Sequence, residues 1–300
     1  MICALIGTSK FAEVHLCELI KIGAKELTVI SRDQIKNKKI CNKYKKKFPN
    51  VKIYPSNINI LKKKKFDLID ICSSIKVHDK HLDFISGLKS IILIEKPIIS
   101  LLKLKKNYLS FLDKLYSKNK KIIVCYPMVY LSNEFKKIFK KNENINKFKL
   151  DFDTGGQYKY NHICIDLMPH ALSFMFTYFK QFHLKKKFNI KKIIITKNMW
   201  SSHFIYNKIN FYFCFSENLK KKTSFEIEID NKRVERFTNR EKNNFDNFLR
   251  YNGKIKKIKN PLSKFFLELK KNKNNPSFFK NNKQLTLLLM KINYKFIFEK

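Results

Sequence analysis

Short runs of consecutive apolar residues alternate with amphipathic stretches through the first 125 positions of the chain. Ile2–Ile6 is an unbroken apolar run that stops at Gly7, the pattern of a strand covered on both faces. Ala12, Leu16, Leu19, Ile20 and Gly23 follow at helical spacing and mark a face that packs on a sheet. The alternation continues with strands predicted at Leu27–Ile30, Val51–Tyr54, Leu68–Cys72, Ile91–Ile94 and Ile122–Cys125. Helices are predicted between them at Lys38–Phe48, His78–Leu88 and Leu104–Leu115. Strand and helix taking turns in this way predict an α/β, Rossmann-type doubly wound parallel sheet with right-handed crossovers.

After about Tyr126 the pattern changes. Phe148–Phe152, Ile193–Thr196, Ile209–Phe215, Phe225–Ile229 and Val234–Phe237 read as strands, most with no helix between them. Asp230-Asn231-Lys232 is a hairpin turn between the last two, and helices are predicted at His170–Phe179, Phe245–Tyr251, Leu262–Lys270 and Gln284–Phe296. The expectation is a Rossmann domain over residues 1–125, followed by an α+β domain over 126–300 with a mainly antiparallel open sheet.

Composition changes the picture in one respect. Lys+Arg 64 against Asp+Glu 24 gives a formal charge of +40, which first suggests nucleic acid. Only five of the basic residues are Arg, the side chain suited to bidentate recognition of phosphates and guanines. The Lys are spread over the whole chain beside abundant Asn, Ile and Phe, as an AT-rich coding bias produces. A solvated basic surface with no specific nucleic-acid partner is therefore expected, attracting anionic ligands at long range. Binding to nucleic acid that stays weak, non-specific and steeply salt-dependent would mark it as incidental.

The seven Cys contain no C-x-x-C pair and several lie in apolar runs, so reduced core thiols are expected. No basic leader and no stretch of about 18 apolar residues is seen, so a cytoplasmic protein without a membrane span is expected.

Candidate chemistry clusters at strand ends. Gly7-Thr8-Ser9-Lys10-Phe11-Ala12 follows the first strand and approximates G-x-G-x-x-G/A, in which small residues let a diphosphate approach a helix N-terminus. Gly7 and Ala12 fit, and Ser9 replaces the middle Gly. Ser31-Arg32-Asp33 ends the second strand, where an acid accepts from the ribose hydroxyls of NAD and an Arg suits the 2′-phosphate of NADP. Arg32 favours NADP, and Asp33 keeps NAD open. The fifth strand ends in Glu95-Lys96-Pro97, at the edge where open α/β sheets bind ligands. In Asp166-Leu167-Met168-Pro169-His170, Pro169 suits a helix start, and an Asp and a His four apart there could share a site or simply cap and pack. A metal set of His162, Asp166 and His170 is disfavoured by Pro169, and no metal is expected.

Together these residues resemble the glucose–fructose oxidoreductase/inositol dehydrogenase (Gfo/Idh/MocA) family over nearly the whole chain. The matching features are the turn Gly7–Ala12 followed by His15, the strand Leu68–Cys72 with Ser73-Ser74 and then His78, the triplet Glu95-Lys96-Pro97, and Asp166–Ala171. Departures are Ser9 for Gly, Ser74 for Pro, Met168 for Gly, and a Gly155-Gly156 pair further upstream of Asp166 than usual. The resemblance implies an NAD(P)-dependent oxidoreductase acting on the hydroxyl or carbonyl of a sugar, cyclitol or nucleotide sugar.

It further implies that Lys96 contacts the reacting oxygen, His170 moves the proton and Asp166 orients substrate or His170. Cofactor contacts are implied for Gly7, Thr8, Ser9, Phe11, Ala12, Ser31, Arg32, Ser73, His78 and Glu95. It also implies a second domain that binds a small-molecule substrate and can form homo-oligomers through its sheet. Met168 and the Phe-rich second half leave open a reductase of a less polar imine or tetrapyrrole substrate.

Overall fold

The strands of the first half are apolar on both faces because both faces are covered. The computed structural model describes residues 1–139, 145–179, 188–219, 223–241 and 244–298. The chain runs β1 (Ile2–Ile6), α1 (Lys10–Lys21), β2 (Glu26–Ile30), α2 (Gln34–Lys47), β3 (Lys52–Ser56), α3 (Ile60–Lys63), β4 (Leu68–Ile71), α4 (His78–Ile85), β5 (Ile91–Glu95), α5 (Leu101–Lys118) and β6 (Ile122–Cys125). The six strands form one parallel sheet in the order β3-β2-β1-β4-β5-β6, the doubly wound arrangement expected from the sequence. Every residue of β4, β5 and β6 is buried.

Helix starts are set by side-chain caps. Ser9, Asp33 and Ser100 accept from the N–H three residues on, at the heads of α1, α2 and α5. The Asp33 and Ser100 caps explain why α2 and α5 begin before the expected Lys38 and Leu104. Replacing Ser9 with Ala should cost about 1 kcal/mol and lower the thermal midpoint by roughly 2–4 °C. An unchanged midpoint would mean that the cap does not hold the start of α1.

The two sheet edges are protected differently. Edge strand β3 carries Pro55, whose missing N–H is harmless there. At β6 the Asn282 amide pairs with Val124 in both directions, accepting from its N–H at 2.8 Å and donating to its carbonyl at 2.9 Å. A neighbouring strand would make the same two bonds.

The chain divides into two compact units: Met1–Cys125 with Phe266–Leu287, and Tyr126–Phe265 with the chain from Leu288 on. Phe266–Leu287, which the sequence reading assigned to the second domain, falls in the first.

Beyond β6 come α6 (Met128–Phe139), β7 (Lys147–Thr154), α7 (Asn161–Tyr178), β8 (Asn189–Ile195), β9 (Met199–Tyr206), β10 (Ile209–Glu217), β11 (Ser224–Ile229), β12 (Lys232–Glu241), β13 (Asn244–Tyr251), β14 (Lys254–Ile258), α8 (Pro261–Lys271) and α9 (Pro276–Phe298). The eight strands form a sheet in the order β14-β13-β12-β11-β7-β10-β9-β8. Its pairs are antiparallel except β7 with β10.

Two-residue turns with left-handed backbone close three hairpins: Asn207-Lys208, Asp230-Asn231 and Asn252-Gly253. One sheet face is lined by Phe148, Phe152, Phe211, Phe213, Phe215 and Phe225, all buried. Phe135 of α6 and Phe174 of α7 pack with these rings. Each such ring contributes about 1.5–3 kcal/mol by burial, so the abundance of Phe serves the core.

Phe245–Tyr251, expected as a helix, is strand β13. Cross-strand bonds to β12 and β14 and the Asn252-Gly253 turn outweigh an apolar spacing that also fits a helix. Strands β9 and β14 and helix α6 were not anticipated. β14, Lys254-Ile255-Lys256-Lys257-Ile258, is a lysine-rich edge strand, and edge charges discourage pairing with other chains. Among the described residues no helix is long and apolar enough to cross a membrane.

Candidate active site

The first turn is shaped by the strand beside it. Gly7 has φ +137°, and a Cβ there would stand 2.4 Å from the Cys72 carbonyl oxygen at the end of β4. Its own N–H donates to the Ile30 carbonyl at 3.0 Å. Glycine is therefore required for the close approach of β1 and β4. Ser9, the departure from the fingerprint, is the N-cap of α1, its Oγ accepting from the Ala12 N–H at 3.1 Å. The hydroxyls of Thr8 and Ser31 lie 3.3 Å apart and tie the turn to the end of β2. Ala12 is buried, whereas Phe11 is exposed with its ring 5.0 Å from that of His15.

At the end of β2, Asp33 Oδ1 accepts from the Lys36 N–H at 2.9 Å and so is committed to capping α2. Arg32 is exposed. At the end of β4, the Ser73 hydroxyl meets His81 Nδ1 at 3.0 Å. His78 is buried, with Nδ1 2.9 Å from the Pro97 carbonyl and Nε2 3.0 Å from the Ser73 carbonyl. Burial pushes its pKa down although both carbonyls favour the charged ring. Its ring braces the turns after β4 and β5 against each other.

Under the end of β5 lies a buried ionic cluster. His15 Nδ1 is 2.8 Å from Asp70 Oδ2, and Nε2 is 3.0 Å from Glu95 Oε1. The second approach is close but poorly aligned for a hydrogen bond, so charge attraction carries it. Burial favours the neutral imidazole, but Asp70 and then Glu95 override it and lift the His15 pKa to about 10. Burial raises the Asp70 pKa against the pull of His15. Burial opposes ionisation of Glu95 too, yet His15, Lys96 and Cys125 hold its pKa below the ordinary value. Lys96 emerges next, half-buried.

In the second unit, α7 begins at Asn161, and Pro169 lies inside the helix rather than at its start. The expected start near His170 and the reading of Asp166 as a cap are thereby corrected. The helix is apolar nearly all round, so its periodicity could not mark where it begins. His162, Asp166 and His170 stand at successive turns of one continuous helix, exposed or half-buried amid buried neighbours. Pro169 therefore does not interrupt that trio, but among the described residues its ligand atoms do not converge as a cation would need. His170 packs edge-on against Phe152, with ring centres 5.6 Å apart. Met168 is fully buried, on the core side of the helix rather than toward ligand.

Two further residues of this unit escaped the sequence reading. Glu217, only 2% exposed, ends β10 and accepts from the Tyr158 N–H at 2.6 Å. Gly156 makes room for it, since a Cβ there would lie 2.1 Å from its carboxylate. Tyr158 stacks on His162 at 6.2 Å, and burial, Asp166 and Glu217 push its pKa up to about 12. The signal for Glu217 was its register: Phe211, Phe213, Phe215 and Glu217 share the inward face of one strand.

No family model matches the chain. No curated protein matches it. The chain is similar in structure to a dehydrogenase from Clostridium difficile, with TM-score 0.69 and 14% identity over 100% of this chain and 99% of that one. It is also similar to a 3-ketoreductase from Actinomadura kijaniata in complex with TDP-benzene and NADP, with TM-score 0.67 and 9% identity over 97% and 94% of the two chains. A Gfo/Idh/MocA family oxidoreductase from Vibrio cholerae gives TM-score 0.63 and 12% identity over 97% and 96%. At these identities the likeness shows a shared fold, of a parallel Rossmann sheet joined to a mainly antiparallel one.

Proposed function

We propose that the chain is an NAD(P)-dependent oxidoreductase of the Gfo/Idh/MocA type, interconverting a hydroxyl and a carbonyl on a sugar, cyclitol or nucleotide-linked sugar. The observation that carries this reading is the placement of Glu95-Lys96 at the end of β5, on the same sheet edge as the Gly7–Ala12 turn. That edge, beside the point where strand order reverses between β1 and β4, is where such sheets take ligands. The similarity to a 3-ketoreductase that was solved with TDP-benzene and NADP supports the substrate class.

The residues fit a dinucleotide. Gly7 keeps the turn free of a side chain, and the N-terminus of α1 follows at once, where amides and dipole favour a diphosphate. Thr8, Ser9, Phe11 and Ala12 complete the turn, and Ser31 with Arg32 would hold the adenosine end. Ser73 and Glu95 would contact the nicotinamide half, with His78 bracing the two turns. Asp33 already caps α2, which favours NADP over NAD. The bound nicotinamide would give or take a hydride. Lys96 would hold the reacting oxygen, neutralise its charge and assist proton transfer together with His170, and Asp166 would orient His170 or the substrate.

Met168 and the Phe rings lie in the core, so neither supports a flat apolar substrate. Loss of NADPH absorbance with a panel of nucleotide sugars, free sugars and cyclitols tests the substrate class. Turnover of a flat hydrophobic imine alone would overturn it. For the cofactor, Arg32→Ala should weaken NADPH binding by about tenfold or more, as loss of a charge-assisted bond implies, with NADH nearly unaffected. Equal loss for both nucleotides would rule out a 2′-phosphate contact.

A further inference from the structure

Asp70 and His15 have no assigned task in this scheme, yet with Glu95 they form a buried ionic cluster in the core of the first unit. The cluster draws one side chain from each of α1, β4 and β5, and His15 and Asp70 have no exposure at all. Phe11 and Phe266 hold the imidazole ring between them, at 5.0 and 5.2 Å. We infer that Asp70 and His15 are positioning residues: Asp70 orients the His15 ring, and the ring anchors the Glu95 carboxylate at the strand end from which Lys96 emerges. For the role of Lys96 this rests on the oxidoreductase reading; for the strut itself it does not.

Two carboxylates and one imidazole are an expensive way to fill a core. Well-packed apolar side chains in their place are often as stabilising or more so. What ions provide instead is direction. Asp70 accepts from Nδ1, which fixes the ring plane and keeps Nε2 3.0 Å from Glu95 Oε1 as an ion pair. The groups facing the cluster are few. Cys125 of β6 and Cys72 at the end of β4 are both uncharged thiols driven further from ionisation by burial, and Lys96 is the other cation acting on Glu95. A carboxylate held on its inner side by an imidazolium has one orientation, and the next residue along the backbone inherits that precision.

The charge on the strut has a defined pH range. The His15 pKa is raised in the fold, so its contribution to stability is complete below the ordinary value of 6.5 and is lost as pH rises through about 10. The Glu95 pKa is lowered, so its contribution is present above 4.5 and is lost as pH falls through its folded value.

The test uses the full chain with Asp70→Asn, Glu95→Gln and the double variant. Asn keeps an acceptor for Nδ1–H but removes the charge. Histidine ring NMR should show His15 still protonated at pH 8, with its signal displaced in both single variants. Steady-state reduction should show kcat lowered by roughly 10- to 100-fold, as a small misplacement of a reacting group does. NADPH affinity should stay within about twofold in Asp70→Asn, whose side chain is given no ligand contact, and the double variant should lose little more kcat than either single one, because the residues act as one unit. An Asp70→Asn protein with a lower melting midpoint but unchanged kcat would reduce the cluster to a packing element. A His15 that titrates near its ordinary pKa in the native protein would overturn the strut outright. Should the native protein turn over none of the proposed substrates, the oxidoreductase reading fails, and the NMR arm still decides the strut.

Discussion

Replacing Lys96 with Ala should slow the proposed reduction by about 10²–10⁴-fold, the range for losing a general acid, while NADPH binds nearly as before. When a hydride reaches a carbonyl carbon, the oxygen takes up negative charge and must gain a proton. Lys96 leaves β5 half-buried, where an ammonium acts on that charge with little screening by water. Its neighbour Glu95 is held ionised by His15, so the pair supplies one fixed anion and one cation able to reach a ligand. His170→Ala should be damaging in the same range, with the proton then left to water. Lys96→Arg separates the two tasks of the lysine, because Arg keeps the charge but does not release its proton near neutral pH. NADPH fluorescence titration alongside single-turnover absorbance separates binding from chemistry. Near-native rates in both Lys96→Ala and His170→Ala would remove these residues from the mechanism.

Gly7→Ala should be the most destabilising single methyl group added to the first unit. The left-handed φ of +137° is strained for any side chain, and the new Cβ would meet the Cys72 carbonyl oxygen at 2.4 Å. That oxygen belongs to backbone at the end of β4 and has no rotamer with which to retreat. Strain and overpacking together amount to about 2–5 kcal/mol. Thermal unfolding should register a drop of roughly 5–15 °C, accompanied by loss of NADPH affinity as the turn moves. Gly87→Ala is the control, since nothing lies within 4 Å of its would-be Cβ. It should be neutral or slightly stabilising by up to about 1 kcal/mol. Similar midpoints for the two variants would mean that β1 and β4 can part without cost.

The parallel half was legible because strands buried on both faces leave unbroken apolar runs with glycine or charge at their ends. The same logic hid Asp70: one acid within Leu68-Ile69-Asp70-Ile71 hardly changes the hydrophobic signal, yet only a partner such as His15 on the covering helix α1 could keep it there. Lys96, Asp166 and His170 were visible as charged or titratable residues at strand ends or in an apolar helix. The phase of that helix was not visible, because Pro169 suits a helix start and can also sit mid-helix when packing holds it. Glu217 could have been found by counting alternate positions along β10. β13 and β14 could not be found from local preference, since their pairing is decided by neighbours and by the Asn252-Gly253 turn between them. Nor does any local pattern reveal that Phe266–Leu287 belongs with the first unit.

The bond pair from Asn282 to Val124 has a consequence for biogenesis. During synthesis the six parallel strands leave the ribosome well before the side chain that closes the β6 edge, since Asn282 follows Val124 by 158 residues. Until then the outer edge of β6, Ile122-Ile123-Val124-Cys125, stays open, an adhesive edge for any other extended chain. Closure of the parallel sheet thus waits on a residue 158 positions further along the chain. A product that stops before Asn282 would expose that edge for its whole lifetime and be a natural client for chaperones.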